Sequence, residues 1–271
     1  MKIKPRSRLL LAAASLALLA ALDVRLKVQK YTLDHDAIHA PVRIALVTDL
    51  HSCRYGKGQA TLLEAIHGQE PDLVLLGGDM FDRRTDPVRT EQLLQGLADR
   101  YPVYAVTGNH DLDDGDEAVQ TRLDLYGRYG VTVLSGQTAE LTLNGQTVLL
   151  GGLDDPQGSR EVFDARLEQL AAETEPAPCS LLLSHRPEYF PRYVELGFDL
   201  VLCGHAHGGQ WRIPGLLNGL YAPHQGLFPE YAGGLYSRDG TTMAVSRGLA
   251  RETTLVPRIF NRPELVILEL T

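Results

Sequence analysis

Short runs of apolar residues alternate along the chain with longer stretches in which apolar side chains recur every three or four positions. The short runs are rich in Leu, Val and Ala, and they predict buried strands at residues 42–48, 73–76, 103–106, 180–183 and 199–203. The longer stretches predict amphipathic helices at residues 59–68, 91–100, 117–129 and 161–172, and a further helix that starts near Pro187. Strands that alternate with helices in this way predict an α/β fold.

The middle and the end of the chain have a different pattern. Asn144-Gly145 separates two short strand patterns, at residues 139–143 and 146–150, as in a β-hairpin. Additional strands are predicted near residues 24–33, 131–134, 242–245 and 265–270. Residues 211–236 are rich in Gly and Pro with scattered aromatic side chains, and an irregular segment of this length indicates a functional role. The whole pattern predicts a mixed-sheet α/β sandwich.

The amino terminus combines positive charge with an apolar run. Four basic residues between positions 2 and 8 precede residues 9–22, a run of 14 residues that contains only Leu, Ala and one Ser. A helix of that length would be about 21 Å long, shorter than the roughly 30 Å hydrocarbon core of a bilayer. We expect residues 1–23 to be an uncleaved signal anchor, with a cleaved signal peptide and an ordinary buried helix as alternatives. The expected location is the cell membrane, through a peripheral or single-pass attachment, and basic residues on both sides of the run leave the membrane side open.

Residues 24–271 are long enough for one catalytic domain with a sizeable core, in a chain that is 44% hydrophobic and 22% charged. The net charge is −8, but residues 1–30 hold seven basic side chains and one acidic one, so the rest of the chain carries −14. This acidic body argues against nucleic acid as a partner. The three cysteines, Cys53, Cys179 and Cys203, cannot all pair and do not have the spacing of a thiolate zinc motif, so we expect no disulfide framework.

Each of the five predicted buried strands is followed by side chains that can bind a metal ion or transfer a proton. In chain order these are Asp49 and His51, Asp79, Asn109 with His110 and Asp111, His185, and finally His205 with His207. Ligands in α/β proteins bind beyond the carboxyl ends of the strands, so we expect these groups to converge although they span about 160 residues. Taken alone, residues 107–111 could equally form an Asx turn between a strand and a helix.

The residue types suit a centre with two divalent cations. Imidazole nitrogens with carboxylate and amide oxygens, and no thiolate, suit Mn, Fe or Zn better than Ca or Mg. Two such cations about 3.5 to 4 Å apart can bind a phosphoryl oxygen, lower the pKa of a water molecule and neutralise charge in the transition state. A histidine, with a solution pKa of about 6.5, can then protonate the leaving oxygen. We expect His110 in this role, with Asp111 orienting its ring.

The same residues resemble, in order, the five motifs of the calcineurin-like metallophosphoesterase superfamily. The matching segments are Asp49-x-His51, Gly78-Asp79, Gly108-Asn109-His110-Asp111, His185 and Gly204-His205-Ala206-His207. The expected fold is then a four-layer sandwich of two mixed β-sheets flanked by helices, preceded by an N-terminal hydrophobic anchor. The resemblance also implies a ligand assignment: Asp49, His51 and His207 for one cation, Asn109, His185 and His205 for the other, and Asp79 as the bridge.

Two further segments look like the membrane-associated bacterial branch of this superfamily: Gly208-Gly209-Gln210 and Val245-Ser246-Arg247-Gly248-Leu249. Members of this branch are described as phosphodiesterases, and some as UDP-2,3-diacylglucosamine pyrophosphohydrolases. The resemblance implies a dinuclear hydrolase of phosphodiester or pyrophosphate bonds that acts at the membrane on a lipid substrate such as UDP-2,3-diacylglucosamine. The alternatives are a broad phosphodiesterase or phosphomonoesterase without lipid preference, and a non-catalytic metal-binding scaffold.

Other side chains have two interpretations. Residues 78–83 also resemble the phosphatase motif whose arginine binds phosphate, but protein phosphatases have glycine where this chain has Arg84 and glutamate where it has Asp111. Residues 211–236 form either an apolar lip for a lipid-bearing substrate or a cap on the core. The remaining candidates are Arg83, Arg247 and Arg251 as substrate contacts or surface residues, Asp82, Asp113, Asp114 and Asp116 as extra ligands or solvated residues, His224 without an assignment, and His35, His39 and His67 at the surface.

Overall fold

The computed structural model describes residues 15–157, 159–252 and 256–271. The strands are, in chain order, β1 (Lys27–Leu33), β2 (Val42–Val47), β3 (Leu73–Gly77), β4 (Val103–Val106), β5 (Thr132–Val133), β6 (Gln137–Leu143), β7 (Gln146–Leu153), β8 (Ser180–Ser184), β9 (Leu200–Cys203), β10 (Tyr221–Ala222), β11 (Gly226–Leu227), β12 (Gly234–Arg238), β13 (Thr241–Val245) and β14 (Glu264–Leu270). The helices are α1 (Ala60–His67), α2 (Val88–Leu97), α3 (Asp116–Arg128), α4 (Arg160–Thr174) and α5 (Phe190–Glu195), with 3₁₀ turns at Lys57–Gln59, Pro187–Tyr189 and His207–Gly209.

Most of these strands belong to two six-stranded mixed sheets. The first sheet has the order β1-β14-β2-β3-β4-β5, in which the β14–β2 pair is antiparallel and the other pairs are parallel. The second sheet has the order β12-β13-β9-β8-β7-β6, with parallel pairs in the middle and an antiparallel pair at each edge. The hairpin predicted around Asn144-Gly145 is the β6–β7 edge.

The two sheets pack face to face, and helices cover both outer faces. In β2, Ile44 and Leu46 belong to the core between the sheets, whereas Ala45 and Val47 belong to the core beneath α1, α2 and α3. On the other side, α4 and α5 cover the second sheet with side chains such as Phe163. Strands that are buried on both faces are apolar at successive positions, which explains the short apolar runs. The predicted α/β sandwich of two mixed sheets flanked by helices is confirmed.

The amino-terminal anchor is described only in part. Residues 15–21 are helical, and the backbone oxygen of Ala21 accepts a hydrogen bond from the Phe260 amide at 2.7 Å. The start of the predicted anchor, residues 1–14, lies outside the described residues. Among the residues that the structure describes, no helix has the length and apolar character needed to cross a membrane.

Candidate metal centre and active-site cavity

The loops that carry the candidate ligands leave their strands through an unusual backbone conformation. Asp49, His51, Asp79, His205 and His207 have φ angles between 47° and 68°, in the left-handed region. Side chains other than glycine rarely adopt this region, and strain of this kind, about 1 to 3 kcal/mol for each residue, collects at functional sites. The strained turns follow β2, β3 and β9, so the sequence places its candidate ligands where both sheets end.

Close packing of these loops around Asp49 depends on glycine. A Cβ atom on Gly204 would lie 2.6 Å from Asp49 Oδ2, and a Cβ atom on Gly248, whose φ is 69°, would lie 2.6 Å from Asp49 Cβ. The Asp49 carboxylate accepts the backbone amide of His205 at 2.9 Å. Asp49 follows a strand of the first sheet and His205 a strand of the second, so the ends of both sheets meet at this carboxylate.

Two groups of ligand atoms share Asp79. In the first group, Asp49, His51, Asp79 and His207 are buried, and one ligand atom of each lies within 4.8 Å of the others. His51 Nε2 lies 3.6 Å from Asp79 Oδ2, and His207 Nε2 lies 3.8 Å from Asp49 Oδ1. This group offers two imidazoles and two carboxylates to one cation.

The second group contains Asp79, His185 and His205. His185 Nε2 lies 3.2 Å from Asp79 Oδ2 and 3.1 Å from His205 Nδ1. The other ring nitrogen of His185, Nδ1, lies 2.8 Å from the backbone oxygen of Gly77, which can only accept, so Nδ1 carries a proton and Nε2 is the nitrogen that faces the group. Asn109 lies beside this group, because the backbone amide of its neighbour His110 donates to Asp79 Oδ1 at 2.8 Å.

The donor atoms fit divalent cations. On the candidate ligand residues, four buried side-chain atoms have no hydrogen-bond partner within the described part of the chain: His51 Nε2, Asp79 Oδ2, Asn109 Oδ1 and His207 Nδ1. A buried polar atom without a partner costs about 1 to 3 kcal/mol, and such atoms on the candidate ligand residues are explained if these residues bind cations. A set of nitrogen and oxygen donors without thiolate suits Mn, Fe or Zn.

Burial keeps two of the imidazoles neutral, which is the state that can bind a metal ion. Burial lowers the pKa of His207 to about 3 and holds the pKa of His205 well below its usual range. Burial also opposes ionisation of Asp79 and His185, but their mutual attraction outweighs it, keeping the pKa of Asp79 well below its usual range and raising the pKa of His185 to about 10. Asp49 and Asp79 thus form a negative centre, and cations bound there would replace the proton on His185.

A buried carboxylate, Asp82, connects the candidate acid with a ligand. His110 Nδ1 lies 3.5 Å from Asp82 Oδ2, and His51 Nδ1 lies 3.3 Å from the same oxygen. Arg84 pairs with the other oxygen, Oδ1, at 3.2 Å. Although burial opposes the charge, the hydrogen bonds from His51 and Arg84 hold the pKa of Asp82 below its usual range. Asp82 is therefore an anion that can fix the orientation of both rings.

Asp111 differs from its expected role. Its two carboxylate oxygens accept the backbone amides of Phe81, at 3.0 Å, and Gly108, at 2.9 Å. The expectation that Asp111 orients the ring of His110 is therefore wrong, because Asp111 fastens the backbone of two loops while Asp82 lies beside the ring. Burial raises the pKa of Asp111 to about 6, with a contribution from the neighbouring charge of Asp79.

Two ligands of the first group, His51 and His207, line a cavity of about 550 Å³. Its polar wall consists of His51, Arg84, His110, His207 and Gln210. Its apolar wall consists of Trp211, Leu220, Tyr221, Pro223 and Val256. Trp211 is 39% exposed and Tyr221 is 50% exposed, so much of the apolar wall is open to solvent. One cavity is therefore lined both by metal-ligand side chains and by an apolar surface.

Comparison with known proteins identifies the family of this chain. Residues 42–209 match the family model described as calcineurin-like phosphoesterase. Phosphodiesterase YaeI of Escherichia coli K12 is 32% identical over 243 residues, which is 85% of this chain and 83% of that protein. The chain belongs to the calcineurin-like phosphoesterase family. It is therefore a phosphoester hydrolase, and its family uses divalent metals.

One more relative and one solved structure are similar to this phosphoesterase. The uncharacterized metallophosphoesterase YkuE of Bacillus subtilis is 28% identical over 214 residues, which is 78% of this chain and 71% of that protein. The solved structure of NAD nucleotidase (NadN) of Haemophilus influenzae matches 78% of this chain and 51% of that chain, with a TM-score of 0.52 and 15% identity. The second likeness is one of fold.

The structure of the phosphoesterase shows which of the remaining candidate residues lie near the active-site cavity and which do not. Arg84, and not the exposed Arg83, lines the cavity, whereas Arg247 lines a different cavity. Asp113 lies 3.8 Å from His110 Nδ1, and Asp114 pairs with Arg122. The side chains that lie apart from the ligand groups are Asp116 at the start of α3, Arg251 over the Tyr55 ring, the exposed His39, and the half-buried His35 and His67.

Three residues of the phosphoesterase site were not assigned their place from the sequence. The sequence pattern offers Asp82 as an extra ligand or a solvated residue, and Arg84 only as a departure from another motif. His224 had no assignment, yet its Nδ1 atom lies 2.8 Å from His205 Nε2. The spacing of Asp82, three residues after Asp79, is a signal that could have identified it. No comparable signal exists for His224, because it contacts His205 across an irregular segment.

Proposed function

We propose that this phosphoesterase hydrolyses phosphodiester or pyrophosphate bonds in a lipid-linked substrate at a membrane surface, with an acylated sugar nucleotide such as UDP-2,3-diacylglucosamine as the leading candidate. The observation that carries the proposal is the cavity that is lined both by metal-ligand side chains and by an apolar wall. The polar wall supplies the chemistry of the phosphoester, and the apolar wall supplies a surface on which acyl chains can be buried.

Two divalent cations, Mn, Fe or Zn, would be held by residues that the structure brings together. Asp49, His51, Asp79 and His207 would hold one cation, and Asp79, Asn109, His185 and His205 the other. When bound, such cations polarise the phosphoryl oxygens and lower the pKa of water at the site.

The protein's own side chains then position the ester and move a proton. His110 lies in the polar wall, half-buried, and donates a proton to the leaving oxygen. The anionic Asp82 Oδ2 lies 3.5 Å from His110 Nδ1, so its charge favours the ring orientation in which Nε2 points toward the cavity. Arg84, held by Asp82, adds a positive charge to the wall that meets the anionic phosphoryl group.

The proposed membrane location is supported by where exposed apolar side chains occur. Leu16, Leu18 and Leu19 of the amino-terminal helical segment are exposed, as are Leu216 and Phe228 in the long irregular segment. The two segments approach each other at residues 259–260, because the Phe260 amide donates to Ala21 and the Ile259 oxygen accepts from Arg212. Exposed apolar patches of this kind mark membrane or partner surfaces. The proposed attachment is peripheral or through the amino-terminal run.

Turnover of matched substrates tests the lipid preference. Protein loaded with Mn²⁺ would be given an acylated sugar nucleotide and the same sugar nucleotide without acyl chains, with a soluble aryl phosphodiester as the third substrate. We expect kcat/KM to be about tenfold or more higher for the acylated compound, since each buried CH₂ contributes about 0.8 kcal/mol. Equal efficiency on all three would leave a broad phosphodiesterase, and no turnover of any would favour a metal-binding scaffold.

A further inference from the structure

A second cavity, of about 460 Å³, lies on the other side of the loop that forms the apolar wall. Trp211 and Leu220 of this loop line the active-site cavity, whereas Arg212 and Asn218 between them line the second one. The second cavity also contains Arg247, from the loop after β13. The two cavities share none of their lining residues, so the second one is not part of the metal centre.

The second cavity has more positive than negative charge. The carboxylate of Glu264 is fully buried, accepts the backbone amide of Arg247 at 3.1 Å and lies 3.5 Å from Arg247 Nε. Arg212 donates to the Gly208 oxygen at 3.3 Å and to the side chain of Asn218, both of which are neutral. Two guanidinium groups are therefore balanced by one carboxylate. Burial, together with the charge of Arg247, lowers the pKa of Arg212 to about 10, as expected for a site that lacks an anion.

Both arginines retain donors for a ligand. Within the described residues, the two terminal nitrogens of Arg247 form no hydrogen bond, and Arg212 Nε also has no partner. Guanidinium groups present parallel N–H donors that match the oxygens of a phosphate. The free donors face a cavity large enough for a phosphate group and part of its substituents.

The rim of the cavity is apolar and adjoins the amino-terminal segment. Ile213 and Leu216 line the cavity and are 49% and 81% exposed. Phe260 also lines it, and its amide binds the Ala21 oxygen at the end of the amino-terminal helical segment. In the sequence, that segment continues an apolar run preceded by four basic residues. A cationic cavity inside an apolar rim, next to such a run, matches a phosphate that carries acyl chains.

We propose that Arg212 and Arg247 form a second anion site, which binds the phosphate head group of an anionic phospholipid and orients the active-site cavity toward the bilayer. This inference rests on the proposed membrane location. It adds a site that takes no part in hydrolysis.

Vesicle co-sedimentation of the full-length protein tests the site. The vesicles contain phosphatidylglycerol with phosphatidylcholine, or phosphatidylcholine alone. The variants are Arg212→Gln and Arg247→Gln, and the matched control is Arg100→Gln, which removes the same charge from an exposed side chain beyond α2. We expect each cavity variant to weaken binding to the anionic vesicles by about fivefold, the factor equivalent to about 1 kcal/mol per charge at a bilayer surface. The control should bind as the wild type does.

Three measurements decide whether the proposed lipid site exists. Equal vesicle binding by Arg212→Gln and the wild type would overturn the site, and this variant alone suffices if Arg247→Gln does not fold. If millimolar inorganic phosphate displaces the wild type from anionic vesicles no better than chloride of equal ionic strength, the lipid is the ligand; selective displacement by phosphate identifies a free-phosphate site instead and overturns the lipid assignment. Turnover of a soluble diester by each preparation reports on the metal centre, so failure of the proposed hydrolysis is distinguishable from failure of this site.

Discussion

The two walls of the active-site cavity differ in how the chain builds them. The polar wall comes from tight turns at strand ends, where backbone hydrogen bonds link one loop to the next, as from the Asp49 amide to the Gly78 oxygen and from the His51 amide to the Asp79 oxygen, both at 2.9 Å. The apolar wall comes mainly from an irregular segment that contains the short β10–β11 hairpin. Trp211 and Tyr221 in this wall are partly open to solvent.

This difference predicts that the polar wall determines the reaction and the apolar wall determines the substrate preference. The polar wall is over-determined by burial, charge and strained turns, so a change there should affect every ester that the enzyme cleaves. The apolar wall has few internal contacts that depend on one side chain, so a change there should alter only the preference between substrates. Substitutions on each wall therefore test whether the division holds.

The largest effect is expected at Asp79, which belongs to both ligand groups. Asp79→Ala should remove both cations or disorder them, with a loss of metal affinity above the 10- to 100-fold that is typical when only an outer partner is lost. Metal content after dialysis and turnover of a soluble diester are the measurements. Asp239→Ala, in the exposed turn before β13, is the matched control. Two retained equivalents of metal in Asp79→Ala would contradict the bridge.

The next effect is expected at His110. His110→Gln removes the proton donor, so turnover should fall by about 10²- to 10⁴-fold for esters with a poor leaving group and much less for an aryl diester whose leaving oxygen needs no proton. Metal content should stay at the wild-type level, because His110 belongs to neither group that shares Asp79. A uniform loss across both kinds of ester would exclude the acid role.

A smaller effect is expected at His224, which touches the outer nitrogen of a ligand. With His205 Nδ1 facing the second group, Nε2 carries a proton, and its near partners are Arg186, which only donates, and His224 Nδ1, which accepts at 2.8 Å. His224→Leu should weaken binding of one cation by about tenfold. His224→Gln, which keeps an acceptor, should restore part of the affinity, and equal weakening in both variants would indicate that His224 only fills space.

Most of the fold follows from local patterns in the sequence. Strands such as β3 and β8 are apolar at almost every position because sheets and helices cover both faces. This pattern identifies a buried strand whichever elements pack against it. The order of the ligand motifs likewise predicted that Asp49 and His205 would meet, as they do in a 2.9 Å contact. What the sequence predicts well is whatever is fixed by strand order and by burial.

Contacts that depend on side-chain direction could not be predicted in this way. Asp111 is next to His110 in sequence, but the turn after Gly108 directs its carboxylate to backbone amides, and Asp82 from another loop takes the place beside the ring. Arg83 and Arg84 are adjacent, and one backbone step decides which of them reaches the cavity. Arg212 and Arg247 share a cavity although 35 positions separate them in sequence. Each case depends on a local turn or a tertiary contact, and neither leaves a periodic pattern in the sequence.

The smallest effect, and the sharpest test of the division between the walls, is expected for Trp211→Ala. The Trp211 ring contributes to the apolar wall and is partly exposed, so its loss should remove about 1 kcal/mol of contact with an acyl chain, or roughly fivefold in kcat/KM for a lipid-linked ester. The soluble diester should change far less, because none of the polar wall moves. Val162→Ala removes an exposed apolar side chain from α4 and serves as the control. A parallel loss on both substrates would mean that the apolar wall supports the metal centre itself, and the separation of reaction from substrate would then be wrong.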